Sequence, residues 1–168
     1  MPPLPENSTI LAIDPTSKGF AFAVFETPEH LIDWGLRIAP AKSGALLKKV
    51  GGLLAHHQPD LFVLEDTHAP RSLRRTRARR EIRSMERLAL KRGVTVARVS
   101  RLAVIDTLAP GKTKYEAAAK LAEIFPVLAK RLPRKRKIWE TEVERMSIFD
   151  ALGFAVTARD GGSGKSRR

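Results

Sequence analysis

The chain has 168 residues and no cysteine, and it carries 31 lysine and arginine residues against 18 acidic ones, a formal net charge of +13. This length suits one domain and excludes the large two-lobed enzymes. The lack of cysteine excludes disulfide frameworks, thiol nucleophiles and cysteine-ligated metal sites. The excess of positive charge predicts a polyanionic partner such as nucleic acid.

The opening residues, MPPLPENST, have neither the basic start nor the apolar run of a secretion signal. No stretch approaches the ~18 uninterrupted apolar residues of a membrane span. The sequence therefore predicts a cytoplasmic protein with no membrane segment. Residues 1–8 are proline-rich and residues 159–168 are rich in glycine, serine and basic residues, so flexible ends are expected around a domain at 9–158.

Three strands open the domain, over Ile10–Asp14, Phe20–Glu26 and Leu31–Ile38. Short links between them predict an antiparallel meander. Two further apolar segments predict strands over Leu61–Glu65 and Val94–Val99.

Apolar residues at helical spacing predict four helices, over Ser43–His57, Ser72–Arg92, Lys112–Phe125 and Glu142–Thr157. The resulting order predicts an α/β domain with a five-stranded mixed sheet, three antiparallel strands followed by two parallel ones, flanked by helices. That arrangement fits the ribonuclease H-like architecture.

Three acidic residues occupy positions where a charge is costly. Asp14 and Glu65 each follow four apolar residues at the end of a strand, and Asp150 lies in an otherwise apolar part of the last helix. If the first and fourth strands are neighbours, Asp14 and Glu65 lie about one strand spacing apart, ~4.8 Å. The face of the last helix that carries Asp150 is expected to meet the sheet, with Gly153 allowing a close approach.

Converging carboxylates repel one another unless a cation lies between them, and Mg²⁺ prefers oxygen ligands. Two such ions, ~3.5–4 Å apart, can activate a water molecule and stabilise the leaving oxygen in phosphodiester hydrolysis. The three acids are therefore candidate ligands of two Mg²⁺ ions. The alternative is that Asp14 only forms a turn before Pro15 and that Asp150 pairs with a basic residue such as Arg145.

The order of three motifs resembles the RuvC-type Holliday junction resolvases. These motifs are LAID-P-x-S-x-G from Leu11 to Gly19, an apolar strand ending in Glu65, and D-A-L-x-x-A from Asp150 to Ala155. The resemblance extends over roughly Ile10 to Thr157. It implies a ribonuclease H-like fold and an endonuclease that uses Mg²⁺, or Mn²⁺ in its place, on four-way DNA junctions, usually as a homodimer.

By motif, the resemblance makes Asp14, Glu65 and Asp150 the catalytic metal ligands. A lysine near the start of the penultimate helix assists catalysis in this family, and Lys114 fits that position best. Lys112 is the alternative for this role and is otherwise a candidate DNA contact. His68 takes the place of an aromatic residue that helps to open the junction, which makes it a candidate DNA contact.

This chain departs from the family at two further positions. Thr16 stands where the family commonly has glycine, and Ser147 stands where it has a further acid. A site with three carboxylates is therefore expected. Two rival hypotheses remain: an inactive nucleic-acid-binding module on the same fold, motivated by Ser147, and a ribonuclease H-like enzyme that acts on RNA.

Segment Arg71–Arg92 holds ten basic side chains against two acidic ones. Internal pairing cannot neutralise this excess, which favours binding to DNA phosphates over a merely solvated helix face. Recognition is then expected to follow the path of the backbone, as suits a branched DNA. The predicted DNA contacts in this segment are Arg71, Arg74, Arg75, Arg77, Arg79, Arg80 and Arg83.

The same helix carries a narrow apolar stripe of Ala78, Ile82, Met85 and Ala89. This stripe is a candidate for a small dimer interface, although the dense positive charge opposes close packing of two copies. A homodimer is therefore implied by the resemblance alone.

Overall fold

The computed structural model describes residues 3–40, 44–70 and 72–161. The five strands are β1 (Thr9–Pro15), β2 (Gly19–Glu26), β3 (His30–Ile38), β4 (Leu61–Glu65) and β5 (Thr95–Val99). They form one sheet in the order β3-β2-β1-β4-β5. The first three strands are antiparallel, whereas β4 and β5 run parallel to β1. The predicted mixed sheet is confirmed.

The helices are α1 (Ala45–His57), α2 (Thr76–Lys91), α3 (Arg101–Leu108), α4 (Lys114–Ile124) and α5 (Met146–Arg159), with a short 3-10 helix at Pro126–Arg131. Helix α3 was not predicted: it has eight residues and only Val104 is buried. Its start is fixed by Ser100, whose side chain accepts a hydrogen bond from the backbone of Ala103.

All four predicted helices begin later than their apolar patterns predict: α2 at Thr76 and α5 at Met146 by four residues, α1 and α4 by two. Ser43 and Arg71 lie outside the described residues, as do residues 162–168 of the predicted basic tail. No helix in the described ranges is long and apolar enough to cross a bilayer.

Alternate residues of β1 face the two sides of the sheet, as the period of a strand requires. Leu11 and Ile13 pack with α1 and α2, whereas Ile10 and Ala12 pack with α3, α4 and α5. Helix α5 contacts β1 and β2 on one side and α3 and α4 on the other. It is therefore buried on nearly all sides and has no polar face, which places its single buried acid, Asp150, inside the protein.

The apolar stripe of α2 is not a free interface. Ile82, Met85 and Ala89 are at most 4% exposed and pack in the same core cluster as Leu11 and Ile13. The prediction that this stripe forms a dimer interface is therefore wrong, because the sheet beneath the helix uses the same side chains.

Gly153 also faces a different neighbour from the one predicted. A Cβ atom at this position would lie 2.7 Å from Cγ1 of Val104 and 3.7 Å from Cδ1 of Leu121. The glycine thus allows α5 to approach α3 and α4, and not the sheet. The prediction failed because α3, which supplies Val104, had not been recognised.

The substitution Gly153→Ala should lower the free energy of unfolding by roughly 1–3 kcal/mol through overpacking against Val104. This cost exceeds the gain of up to ~1 kcal/mol that alanine gives inside a helix. The matched control is Gly52→Ala in α1, where nothing lies within 4 Å of the added Cβ. Urea unfolding should show a lower free energy of unfolding for Gly153→Ala and a slightly higher one for Gly52→Ala. Equal changes in the two variants would contradict the packing argument.

Candidate active site

The parallel pairing of β1 and β4 brings two acids side by side. The register joins Ile10 to Leu61 and Ala12 to Val63, so Asp14 and Glu65 follow two residues later on adjacent strands. Each is 1% exposed. Buried carboxylates at one edge of a sheet are costly unless cations or hydrogen-bond donors surround them.

Two guanidinium groups lie between these acids. Arg74 donates to Oε2 of Glu65 and Oδ1 of Asp14 in short contacts, and to the backbone oxygen of Pro15 at 3.2 Å. Arg101 donates to Oε1 of Glu65 at 3.0 Å and to Oδ1 of Asp14 at 3.2 Å. Both arginines therefore bridge the same pair of acids.

Asp150 joins the other two acids from α5. Its Oδ2 atom lies 3.2 Å from Nη1 of Arg101 and 3.0 Å from Nζ of Lys114. Three acids distant in sequence thus surround one guanidinium group. Together, Asp14, Glu65 and Asp150 form the carboxylate cluster.

Lys114 is placed by the start of α4. Thr113 caps this helix and forms a reciprocal capping box with Glu116, so Lys114 is the first helical residue. Its Nζ atom also lies 2.5 Å from Oε1 of Glu142. Of the two candidate lysines, Lys114 reaches the cluster, whereas Lys112 is exposed and has no ion pair within the described ranges.

The donor chemistry of the cluster fits a hard divalent cation. All the candidate ligands are carboxylate oxygens, the donor type that Mg²⁺ prefers. The fully buried Oδ2 atom of Asp150 accepts no hydrogen bond, since its contacts with Arg101 and Lys114 are ion-pair distances only. With the arginines in place, however, no group of three or more acids or histidines among the described residues has the spacing of metal ligands.

Burial and the nearby charge of Asp150 raise the pKa of Asp14 to about 6 from an ordinary value of 3.8, although Arg74 and Arg101 oppose the shift. Burial also disfavours the charged form of Arg101, but the carboxylates of the cluster outweigh it and raise the pKa of this arginine. The charged Asp14 is therefore held at a net cost, as is common where function sets the position of an acid.

Because the pKa of Asp14 is higher in the folded chain, the folded state binds more protons than the unfolded state between pH ~4 and ~6. This contribution to stability is present at low pH and is lost as the pH rises through about 6. Without metal, Asp14→Asn should therefore raise the melting midpoint at pH 7, by on the order of 5 °C. Melting curves in EDTA would measure the shift, with Asp106→Asn, at an exposed position of α3, as the control. A lower melting midpoint for Asp14→Asn than for the wild type would contradict the prediction.

An open groove of 450 Å³ lies beside the cluster. Arg74, Arg75 and Arg77 line one side of it, and Glu144 and Ser147 line the other. Ser147 thus faces the groove at the position where the sequence lacks a fourth acid. Glu144 lies outside the cluster, and its carboxylate accepts a hydrogen bond from the hydroxyl of Ser17 at 3.0 Å.

The predicted DNA contacts occupy different environments. Arg74 contacts Asp14 and Glu65 of the carboxylate cluster. Arg77 pairs with Glu81 at 3.1 Å, and Arg79 donates to the backbone oxygens of Arg74 and Ser72. Three further arginines are exposed and form no ion pair within the described residues, namely Arg75, Arg80 and Arg83. His68 is exposed as well, and its backbone N–H donates to Asp66. Arg71 lies outside the described residues.

The sequence patterns did not single out Arg101. This residue directly follows β5 and Ser100, so it emerges at the same edge of the sheet as Glu65, whose strand is the parallel neighbour of β5. Its position was the signal that could have found it: a basic residue directly after β5, the strand beside β4, which ends in an acid. The alternative that Asp150 pairs with a basic residue is confirmed in kind, but its partners are Arg101 and Lys114 and not Arg145.

No protein-family model matches the sequence, and no curated protein matches it. Several solved structures are similar in fold. Thermus thermophilus RuvC superposes with a TM-score of 0.68 at 20% identity, covering 92% of this chain and 98% of that one. The same protein in complex with a Holliday junction substrate gives 0.67 at 20% identity, covering 93% and 98%.

The yeast mitochondrial Holliday junction resolvase Ydc2 gives a TM-score of 0.61 at 13% identity, covering 99% of this chain and 84% of that one. These similarities extend over nearly the whole chain and agree with the motif order in the sequence. The chain therefore has the ribonuclease H-like fold of the RuvC-type Holliday junction resolvases.

Proposed function

We propose that this chain is a metal-dependent, structure-specific endonuclease that resolves four-way DNA junctions by phosphodiester hydrolysis. The observation that carries the proposal is the carboxylate cluster, in which β1, β4 and α5 bring three buried acids around one cationic group. Among the similar structures is Thermus thermophilus RuvC in complex with a Holliday junction substrate, which supports branched DNA as the substrate here.

In this proposal Asp14, Glu65 and Asp150 hold two Mg²⁺ ions, for which Mn²⁺ can substitute. Such ions, when bound, supply an activated water and charge stabilisation at the leaving oxygen. Lys114, 3.0 Å from Asp150, places a positive charge at the edge of the cluster, where it can bind the scissile phosphate or stabilise a developing oxyanion. Glu142 fixes this lysine from its other side.

The accessible cations of α2 and of the segment before it hold the DNA. Arg75, Arg80 and Arg83 are available to bind phosphates. Arg75 also lines the groove that extends to Arg74 beside the cluster. Lys112 and His68 are further proposed DNA contacts at the surface. A cytoplasmic setting and a homodimer stay predictions, and sedimentation of the protein with and without junction DNA would test the dimer.

The experiment is incubation of the protein with a labelled four-way junction, with Mg²⁺, with Mn²⁺ and with EDTA. We expect symmetrical nicking that requires the metal. Tight junction binding without nicking in either metal would favour the inactive binding module, for which Ser147 in place of an acid is the motivating observation. Preferential cleavage of RNA–DNA hybrids in the same assay would favour the ribonuclease alternative.

A further inference from the structure

We propose that Arg101 is a resident counter-cation of the carboxylate cluster, and that its guanidinium must leave before these acids can hold a divalent ion. The inference rests on the proposed function for the identity of the ion. It makes Arg101 a positioning residue that sets the metal affinity of the site.

The contacts of Arg101 carry the first step of the argument. Its Nε, Nη2 and Nη1 atoms each face a different acid, Glu65, Asp14 and Asp150 in that order, at 3.0, 3.2 and 3.2 Å. Among the described residues, no other side chain has ion-pair contacts with all three. Three fixed donors of one planar group therefore bridge three acids that repel one another, and its single positive charge offsets part of that repulsion.

The second step concerns spacing. Oxygen ligands lie ~2.0–2.1 Å from Mg²⁺, whereas the carboxylates here lie at least 3.0 Å from the nitrogens of a much wider group. The guanidinium of Arg101 across all three acids, together with that of Arg74 between Asp14 and Glu65, consequently holds the acids further apart than a shared ion would. This explains why three converging acids do not have the spacing of metal ligands within the described part of the chain.

The third step is that Arg101 has a route out. Its side chain is 33% exposed, about twice the 17% of Arg74, while Asp14 and Glu65 beneath it are 1% exposed. A guanidinium released to the surface is a good ligand for a DNA phosphate. DNA that binds Arg101 should then strengthen metal binding, and by linkage metal should strengthen DNA binding by the same factor.

The test measures Mn²⁺ binding by calorimetry in the absence of DNA, on the full chain. Arg101→Gln should bind Mn²⁺ roughly 10- to 100-fold more tightly than the wild type, because one positive charge is removed from the ion's position. Its melting midpoint in EDTA should fall, and Mn²⁺ should raise that midpoint more than it does for the wild type. The matched control is Arg98→Gln, which removes the same charge from a guanidinium that pairs with Glu86 on the surface.

Unchanged or weaker Mn²⁺ binding by Arg101→Gln, or an equal gain in the Arg98 control, would overturn the inference. If Arg101→Gln does not fold, the wild type decides: duplex DNA should increase its Mn²⁺ affinity, and the absence of any increase would overturn the inference. The outcome is distinct from that of the nuclease assay. Tighter Mn²⁺ binding by Arg101→Gln without junction cleavage by the wild type would support Arg101 as counter-cation and reject the proposed activity. Cleavage by the wild type with unchanged Mn²⁺ binding by Arg101→Gln would support the activity and reject the counter-cation.

Discussion

Replacing Asp14 by asparagine is expected to abolish junction cleavage, by on the order of a thousandfold or more, while junction binding persists. The amide has nearly the shape of the carboxylate but lacks the negative charge needed to hold a divalent ion. Asp14 is 1% exposed and contacts Arg74 and Arg101, so its replacement does not remove the accessible arginines that are proposed to bind DNA.

Single-turnover cleavage and gel-shift titration of the same junction would measure the two effects separately. Asp106→Asn, an exposed position on α3, provides the control for a change of one charge. Metal-dependent cleavage by Asp14→Asn at the wild-type rate would reject the assignment of Asp14 as a metal ligand. Loss of binding together with cleavage would show that Asp14 supports the DNA surface instead.

The second large effect is expected from the exposed face of α2. The double substitution Arg80→Gln and Arg83→Gln should weaken junction binding by about 10- to 100-fold at moderate salt. Each phosphate contact that is lost also removes about one unit from the slope of log K against log salt, so the slope should become shallower by about two. Both side chains are exposed and form no ion pair within the described residues, so folding should be little affected.

The comparison variant is Lys48→Gln with Lys120→Gln, which removes two exposed charges from α1 and α4; of these, Lys120 pairs with Glu123 at 3.5 Å. If positive charge acts only through the net value of +13, both double variants will lose the same affinity. A difference confined to Arg80 and Arg83 would locate the DNA on α2. Equal losses would show that charge acts only through its net value, and no loss in the Arg80 and Arg83 variant would place the DNA elsewhere on the protein.

Much of the architecture could be predicted because strand patterns are local. Apolar runs that end in an acid marked β1 and β4, and the short links after β1 required an antiparallel meander. Helix bounds were less accurate, because the start of α2 depends on a distant contact. Arg74, in the segment before the helix, reaches Asp14 and Glu65, so residues 72–75 stay outside the helix although their composition would permit one.

The sequence alone determined which residues are candidates: three acids at costly positions, a lysine at the start of a helix, and a strongly basic segment after β4. Only the tertiary structure decided what lies between the acids and what Gly153 and the stripe of α2 contact. The physical reason is that Arg101 and Val104 belong to a short helix without a clear periodic pattern, and their partners are 36 or more residues away in the chain. Pairing of distant charges and packing of distant side chains depend on the folded arrangement, whereas alternation along a strand depends only on neighbours.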